Sequence, residues 1–426
     1  MKRTAPKKDV RSACELCRWK GRDATKLSNG AVELVALSGG GHLAAFRFAE
    51  RYGIAAQNVL WEAPWETADP PNRRFDELSQ IYGSSETSKF LAGYTGHAVC
   101  LDYFGLPSLE EAARGLPLHG EAAIAHWNVT RPRETNEPEC QWNVRLPVAQ
   151  LNYARTIRLG TQESVAYIEE TVSNLRSVDH SVHWVQHATF GPPFLNAGES
   201  TLAVSALRGM TSPLGYEGYS LLASDQEFVW PHAPREDTTQ LADLRQPFSI
   251  RGRGFLATLQ FDRQREVQFV LAINWKLRLG MGYCFRRTDF PWVTVWEENC
   301  VRQNTPWSGN AQVRGMEFGT TPLPLGRKGT LRQRSMRDNS YSLVLPAHGT
   351  RTVHYVAFLF TIPAGIASVE NAEVKGSTIV LGGKLSHASF SIPANGCEDF
   401  LASVSGEEQE QCARQEDGNR ARRGKM

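Results

Sequence analysis

Three short segments of the chain contain side chains suited to acid–base chemistry. His119 stands before a glycine and after a proline, which predicts a loop position. His187 ends the histidine-rich run His180–His187, and Glu317 stands between two apolar residues. Two imidazoles and a carboxylate can take a proton from one oxygen of a sugar and give a proton to the neighbouring oxygen. Opening and reclosing a hemiacetal ring requires this pair of transfers.

The histidine-rich run leaves a metal site as an alternative, because His183 and His187 have the i, i+4 spacing of zinc ligands on a helix. The surrounding Val, Trp, Thr and Phe residues favour a strand instead. On a strand, four residues separate the two imidazoles by roughly 13 Å. Two ligands that each lie about 2 Å from one zinc ion cannot be that far apart. We therefore expect no metal and place His183, Val185, His187 and Thr189 on one strand face.

Each of the three side chains also has an ordinary structural interpretation. His187 could be a core histidine bonded to a backbone carbonyl, and His119 could be an inconsequential surface residue. Glu317 could decorate an exposed strand. If Glu317 is buried, its charged form is disfavoured, and the raised pKa suits a general base.

Aromatic residues could line a sugar cleft. The chain has eleven tryptophans, and Trp61 and Trp65 flank a proline in a predicted loop. Flat rings cover the apolar faces of pyranoses, while neighbouring polar groups meet the hydroxyls. Core packing is the commoner use of such rings, so both interpretations remain open.

The composition describes an ordinary globular protein. The 426 residues are 41% hydrophobic and 22% charged, and the net charge is +2. This balance gives no electrostatic reason to expect a nucleic-acid or membrane-surface partner. No apolar run approaches the length of a membrane span, and no apolar segment follows the charged start. We predict a cytoplasmic protein with reduced thiols at its eight cysteines, including Cys14 and Cys17.

Short apolar runs separated by turn residues predict a sheet protein. Val32–Leu37, three glycines and Leu43–Phe48 are typical of a hairpin, and similar strands are expected near residues 268–273, 353–360 and 378–381. The clearest helix signal is short: Ser108 and Glu111 have capping-box spacing. Without alternation of strands and helices, the pattern favours an antiparallel sandwich over a parallel sheet. We expect a flexible basic leader over residues 1–25, one domain over 26–396 and a charged disordered tail over 397–426.

The order and wording of the three segments resemble the aldose 1-epimerase (galactose mutarotase) family. Leu118-His119-Gly120 followed by Trp127 is similar to the family's Leu-His-Gly-Gly loop and downstream Trp, with Glu121 in place of the second Gly. Gln186-His187 with Phe190 is similar to the Asn-His-x-Tyr-Phe signature. Glu317-Phe318 stands where the family has its catalytic Glu followed by Pro.

The resemblance implies a galactose mutarotase-like antiparallel β supersandwich that interconverts the α and β anomers of a sugar, without a cofactor, as a monomer or homodimer. Glu317 would be the base, His187 the acid and His119 a hydrogen-bond donor. The family's Gly-Arg-x-x-Asn-Arg segment, which helps to hold the sugar, has no counterpart here. The predicted sugar-binding residues are Trp127, Trp61, Trp65, His97, Asp102 and Phe190.

Two other functions remain open. The same cleft could bind a carbohydrate without converting it. A glycoside hydrolase or lyase would pair Glu317 with a second acid, such as Glu121 or Glu62. An epimerase needs both histidines close to Glu317, a hydrolase needs two facing carboxylates, and a binding module needs neither arrangement.

Overall fold

The computed structural model describes residues 13–50, 56–70, 74–130, 137–333, 335–336, 339–383 and 388–403. The helices are α1 (Phe75–Tyr82), α2 (Ser85–Gly93), α3 (Leu109–Ala113), α4 (Gly326–Gln333) and α5 (Cys397–Ala402). The strands are β1 (Ala13–Trp19), β2 (Arg22–Ser28), β3 (Val32–Leu37), β4 (Leu43–Phe48), β5 (His97–Cys100), β6 (Asn128–Thr130), β7 (Glu139–Leu146), β8 (Leu151–Leu159), β9 (Val165–Asn174), β10 (His180–Val182), β11 (Val185–Phe190), β12 (Ser200–Val204), β13 (Ala206–Thr211), β14 (Glu227–Val229), β15 (His232–Pro234), β16 (Leu241–Asp243), β17 (Phe255–Phe261), β18 (Val267–Asn274), β19 (Leu279–Arg286), β20 (Trp292–Asn299), β21 (Gln312–Gly319), β22 (Ser335–Met336), β23 (Asn339–Ser340), β24 (Leu343–Leu345), β25 (Thr350–Thr361), β26 (Asn371–Lys375), β27 (Thr378–Gly382) and β28 (Ser389–Pro393).

Two large antiparallel sheets form the body of the protein. The front sheet has thirteen strands in the order β1-β2-β3-β4-β5-β11-β21-β20-β17-β13-β14-β15-β16. The back sheet has eight, in the order β12-β18-β19-β25-β9-β8-β7-β6. The predicted antiparallel sandwich is confirmed.

Alternation along the strands builds the core between these sheets. On β7, Cys140, Trp142, Val144 and Leu146 are buried, while Gln141 and Arg145 between them are exposed. A side chain of this size stabilises the fold by about 1.5–3 kcal/mol when it is fully buried. The central strands β19 and β20 are instead buried at every position. Both faces of these strands are therefore covered.

A third layer covers the outer face of the back sheet. The small sheet β26-β27-β28 and helix α5 pack against it, and Phe358 and Phe360 on β25 meet Ile379, Leu381 and Leu401 there. On the other side of the molecule, helices α1 and α2 and the loop after β20 cover part of the outer face of the front sheet. This second cover lies over the candidate site described below.

The local predictions for β3–β4 and for α3 are confirmed. Val32–Leu37 pairs with Leu43–Phe48. Ser108 caps α3: its hydroxyl accepts a hydrogen bond from the Glu111 amide, and the Glu111 carboxylate accepts one from the Ser108 amide. The strands near residues 268, 353 and 378 are β18, β25 and β27. Each of these signals depends on residues close together in the chain.

The predictions of a flexible leader and a disordered tail are wrong for the terminal residues that the structure describes. Residues 13–28 of the expected leader form the β1–β2 hairpin, which extends the front sheet. Residues 397–402 of the expected tail form α5, in which Cys397 and Leu401 are buried. The remainder of both predicted segments lies outside the described residues. The polar composition of β1 is explained by its place at the sheet edge, whereas β2 is paired on both sides and largely buried.

The prediction that all cysteines are reduced is also wrong. A disulfide joins Cys14 on β1 to Cys140 on β7 and so connects the front and back sheets. Cys17, three residues after Cys14, is free. Within the described part of the chain, no helix has the length and apolar character needed to cross a membrane.

Candidate active site

His187 and Glu317 lie side by side on adjacent strands. Strands β11 and β21 are antiparallel, with Gln186 opposite Phe318 and Thr189 opposite Gly315, so this register puts His187 opposite Glu317. The His187 Nε2 and Glu317 Oε1 atoms are 3.4 Å apart. Because Phe318 points into the core between the sheets, its neighbour Glu317 projects from the outer face. Strand pairing alone therefore brings together two residues 130 positions apart.

His119 joins this pair from the loop after α3. Its ring centroid is 5.1 Å from that of His187. The Gly105 amide donates to His119 Nδ1 at 3.2 Å, and the His119 amide donates to the Gly105 carbonyl at 3.0 Å. A nitrogen that accepts from an amide carries no hydrogen, so the neutral ring is protonated on Nε2. His119 is thereby prepared to donate a hydrogen bond from Nε2.

Burial decides the proton distribution in this group. It raises the pKa of Glu317 well above the usual value and lowers the pKa of His187 to about 3. It also lowers the pKa of His119 well below the usual range. A low-dielectric environment disfavours every charged form. Burial therefore favours a protonated Glu317 carboxyl beside a neutral His187.

The three side chains are enclosed. His187 is 3% exposed, Glu317 1% and His119 8%. The Tyr94 hydroxyl lies 3.3 Å from His187 Nδ1, and the Trp296 ring centroid is 5.8 Å from that of His187. Glu317 Oε1 makes no hydrogen bond within the described residues. A sugar can reach the pair only after part of this cover moves.

Five of the aromatic residues in this cover are here called the outer aromatic cluster: Trp61, Trp65, Tyr94, Trp296 and Trp307. The Trp61 ring centroid is 5.2 Å from that of Tyr94 and 6.5 Å from that of Trp307. Trp65 is 4.9 Å from Trp307, and Trp296 is 6.1 Å from it. The two tryptophans that the sequence predicts as sugar ligands thus lie near the catalytic candidates. Trp307 and Tyr94 were missed, although Trp307 follows a proline much as Trp65 does.

Arg302 holds the loop after β20 against this cluster. Its guanidinium lies 4.9 Å from the Trp307 ring centroid and 5.7 Å from that of Trp296. It donates to Glu217 at 2.8 Å and lies 3.7 Å from the Glu298 carboxylate. Sequence reasoning missed this arginine because its position depends on the fold of the 300–311 loop and not on a local motif.

Trp127 and Phe190 are wrong as predicted sugar ligands. Both are buried in the core between the two sheets. Trp127 packs on Tyr153 with ring centroids 5.0 Å apart, and its indole donates to the Ala122 carbonyl. Phe190 lies three positions after His187 on one strand, so alternation points the two side chains to opposite faces.

His97 and Asp102 also have hydrogen-bond and ion-pair partners other than a sugar. Both ring nitrogens of His97 are bonded inside the sandwich, to the Tyr283 hydroxyl at 3.0 Å and to the Gln186 amide oxygen at 2.9 Å. One Asp102 oxygen is paired with His180 at 2.7 Å and with Arg327 at 2.8 Å. Neither side chain compensates for the missing arginine segment, so both predictions are wrong.

The acid pairs proposed for a hydrolase are not supported. The Glu121 carboxylate accepts hydrogen bonds from the backbone amides of Val148 and Ala149. The Glu62 carboxylate is paired with Lys20 and bonded to Asn58. Each of the two carboxylates thus has partners other than Glu317.

The zinc alternative gains no support either. His183 Nδ1 accepts from the Phe104 amide at 3.1 Å. The described residues contain no group of three or more His, Cys, Asp or Glu side chains arranged to hold a metal ion.

Several solved structures share this architecture. An enzyme provisionally named aldose 1-epimerase from Klebsiella pneumoniae subsp. pneumoniae is similar with a TM-score of 0.56 and 14% identity, covering 80% of each chain. A galactose mutarotase-like protein from Clostridium acetobutylicum has a TM-score of 0.54 and 10% identity, covering 83% of this chain and 100% of that one. A galactose mutarotase related enzyme from Lactobacillus acidophilus has a TM-score of 0.51 and 13% identity, covering 80% and 98%.

Sequence comparison adds nothing to this: no protein-family model and no curated protein matches the chain. Identities of 10–14% establish a shared fold and not a shared activity. The chain therefore has the galactose mutarotase-like fold.

Proposed function

We propose that this protein is an aldose 1-epimerase-like isomerase that interconverts the anomers of a small sugar by acid–base ring opening. One observation carries the proposal: Glu317 and His187 face each other from adjacent strands, with the Nε2–H of His119 beside them. These groups supply a base, an acid and a hydrogen-bond donor in one place.

The reaction consists of proton transfers between the sugar oxygens and the side chains of Glu317 and His187. The Glu317 carboxylate takes the proton from the anomeric hydroxyl, the bond between C1 and the ring oxygen breaks, and the His187 imidazolium protonates that oxygen. The product is the open-chain aldehyde. Rotation about the bond between C1 and C2 presents the other face of the carbonyl, and the reverse transfers close the ring. His119 donates a hydrogen bond to the oxygen on which charge develops.

The resting pair already holds the single proton that this cycle needs. In the empty site that proton is on Glu317, because a buried carboxylate without hydrogen-bond donors is unfavourable. Sugar hydroxyls that donate to Glu317 would stabilise its charged form and favour transfer of the proton to His187. Entry of the sugar therefore prepares the acid and the base together.

The test is magnetisation-exchange NMR on the anomeric protons of D-glucose and D-galactose at equilibrium. We expect exchange above the spontaneous rate with the wild-type protein. Glu317→Gln and His187→Gln should each lower that excess by about 10²-fold or more, the usual contribution of general acid–base catalysis. Glu236→Gln, an exposed acid after β15, is the matched control and should leave it unchanged.

A non-catalytic carbohydrate-binding role is the second candidate, and the enclosure of the pair favours it. A site that never opens around Glu317 and His187 could bind sugar only on the outer side of the aromatic cluster. Saturable sugar binding with no excess anomer exchange would replace the enzymatic proposal with this one. Exchange that persists in both variants would remove the two residues from the mechanism.

A further inference from the structure

A cavity lies at the end of the two strands that carry His187 and Glu317. It encloses about 260 Å³ beside Trp184, which precedes β11, and Thr320, which follows β21. Its other walls include Arg287, Thr288, Ser342 and Arg351. The candidate active-site residues are not part of its lining, so this is a separate site.

The charges around the cavity do not balance. Both oxygens of Asp289 are used by other arginines: Arg286 donates to them at 2.9 and 3.1 Å, and Arg351 donates at 2.8 Å. No carboxylate pairs with Arg287, whose Nε is buried and has no partner among the described residues. Arg286 and Arg351 thus both bind the one carboxylate in this wall, and Arg287 adds a positive charge that no described carboxylate pairs with.

The inner wall adds a second unpartnered donor. Trp184 is fully buried, and its indole N–H has no hydrogen-bond partner within the described chain. A buried donor without a partner costs about 1–3 kcal/mol. A guanidinium and an indole can only donate, so the partner that each of them lacks is an acceptor. The hydroxyls of Thr288 and Ser342 on the same walls can also donate.

We propose that this cavity binds a compact oxyanion, with phosphate or the phosphate group of a small metabolite as the matching chemistry. A guanidinium recognises such a group through directed, charge-assisted hydrogen bonds. A cation is disfavoured by Arg287, and a neutral ligand leaves the charge of Arg287 unbalanced.

The site does not depend on the proposed isomerase activity, but it is physically linked to the candidate active site. The Trp184 amide donates to Thr320 Oγ1, and the Thr320 amide donates to the Trp184 carbonyl, both at 2.9 Å. Trp184 is three residues before His187, and Thr320 is three residues after Glu317. Three residues of strand span roughly 10 Å. A bound anion would therefore brace the end of both catalytic strands.

The experiment is a titration with inorganic phosphate at constant ionic strength, followed by calorimetry and by the thermal unfolding midpoint, with chloride as the reference anion. We expect saturable binding and a rise in midpoint with phosphate. Arg287→Gln should weaken binding by about tenfold or more, since a hydrogen bond to a charged group is lost. Without phosphate its midpoint should equal that of the wild type, because the Arg287 side chain makes no hydrogen bond or ion pair with a described residue.

Two further variants make the result decisive. Arg145→Gln removes an exposed arginine from β7 and should bind phosphate as the wild type does. Glu317→Gln should do the same, which separates this cavity from the candidate active site. Comparing sulfate, inorganic phosphate and a sugar phosphate distinguishes a simple ion site from one for a phosphorylated metabolite. Absence of saturable binding, or equal affinity in Arg287→Gln, would overturn the proposal.

Discussion

His187 and Glu317 form a cross-strand pair whose facing atoms are 3.4 Å apart, and burial moves their pKa values in opposite directions. The carboxyl keeps a proton that a solvent-exposed glutamate would lose, while the imidazole stays neutral. The pair is therefore adjusted for internal proton transfer and not for a stable salt bridge. This arrangement has consequences for stability as well as for activity.

Replacing the buried acid should stabilise the protein at alkaline pH. The folded-state pKa of Glu317 is raised, so its contribution to stability is complete below about pH 4.5 and is lost as pH rises toward the folded-state pKa. The loss is at most about 1.4 kcal/mol per pH unit. The unfolding midpoint of Glu317→Gln should therefore gain on that of the wild type as the pH rises above about 4.5. A difference that is constant with pH would show that the carboxyl is not buried and protonated.

Removing the inter-sheet disulfide should destabilise the fold. The bond between Cys14 and Cys140 closes a loop of more than 100 residues, and a native disulfide is typically worth about 2–4 kcal/mol. Cys14→Ser should lower the free energy of unfolding by this amount in denaturant titrations. Cys17→Ser is the matched control, because Cys17 is on the same strand and is free. Equal losses in the two variants would contradict a bond at Cys14.

A buried polar network behind the catalytic strand should be sensitive to the loss of one member. Arg155 donates to Glu170 at 2.7 Å, Tyr355 donates to the same Glu170 oxygen at 2.8 Å, and Gln186 donates to the other oxygen. Gln186 directly precedes His187. Glu170→Gln breaks the charge pair and leaves Arg155 buried without its partner, which typically costs about 3–5 kcal/mol.

Chemical denaturation measures that cost, with Glu169→Gln as the control. Glu169 is adjacent on β9, but its carboxylate is half exposed and bonded to His354. Its replacement should cost less than about 1 kcal/mol. Similar losses at the two positions would show that the network does not stabilise the sandwich.

Opening the aromatic cover should expose His187. Trp307 is the member of the outer aromatic cluster that is contributed by the loop after β20, and it is 4% exposed. Trp307→Ala should increase the rate at which diethyl pyrocarbonate modifies His187, measured by peptide mass spectrometry. The increase should be absent in Trp292→Phe, because Trp292 contacts Tyr341 outside the cluster. Unchanged reactivity in Trp307→Ala would mean that another element controls access.

The hairpin β3–β4, the capping box of α3 and the order of the three catalytic candidates could all be predicted from the sequence. Each depends on alternation, turn residues or spacing within a few positions, and such local preferences survive in the fold. The strand face of His187 was also predictable, because side chains alternate along any strand. The same alternation places Phe190, three positions after His187, on the opposite face.

Only the tertiary structure decided what each of these groups contacts. The register of β11 against β21 brings His187 to Glu317, while the packing of the two sheets turns His97 inward and holds Trp127 between them. The placement of Arg302 and Trp307 over the site, and of Arg287 beside the cavity, is equally nonlocal. A sequence records local periodicity directly, but burial, pKa and pairing depend on which distant segments fill the same space.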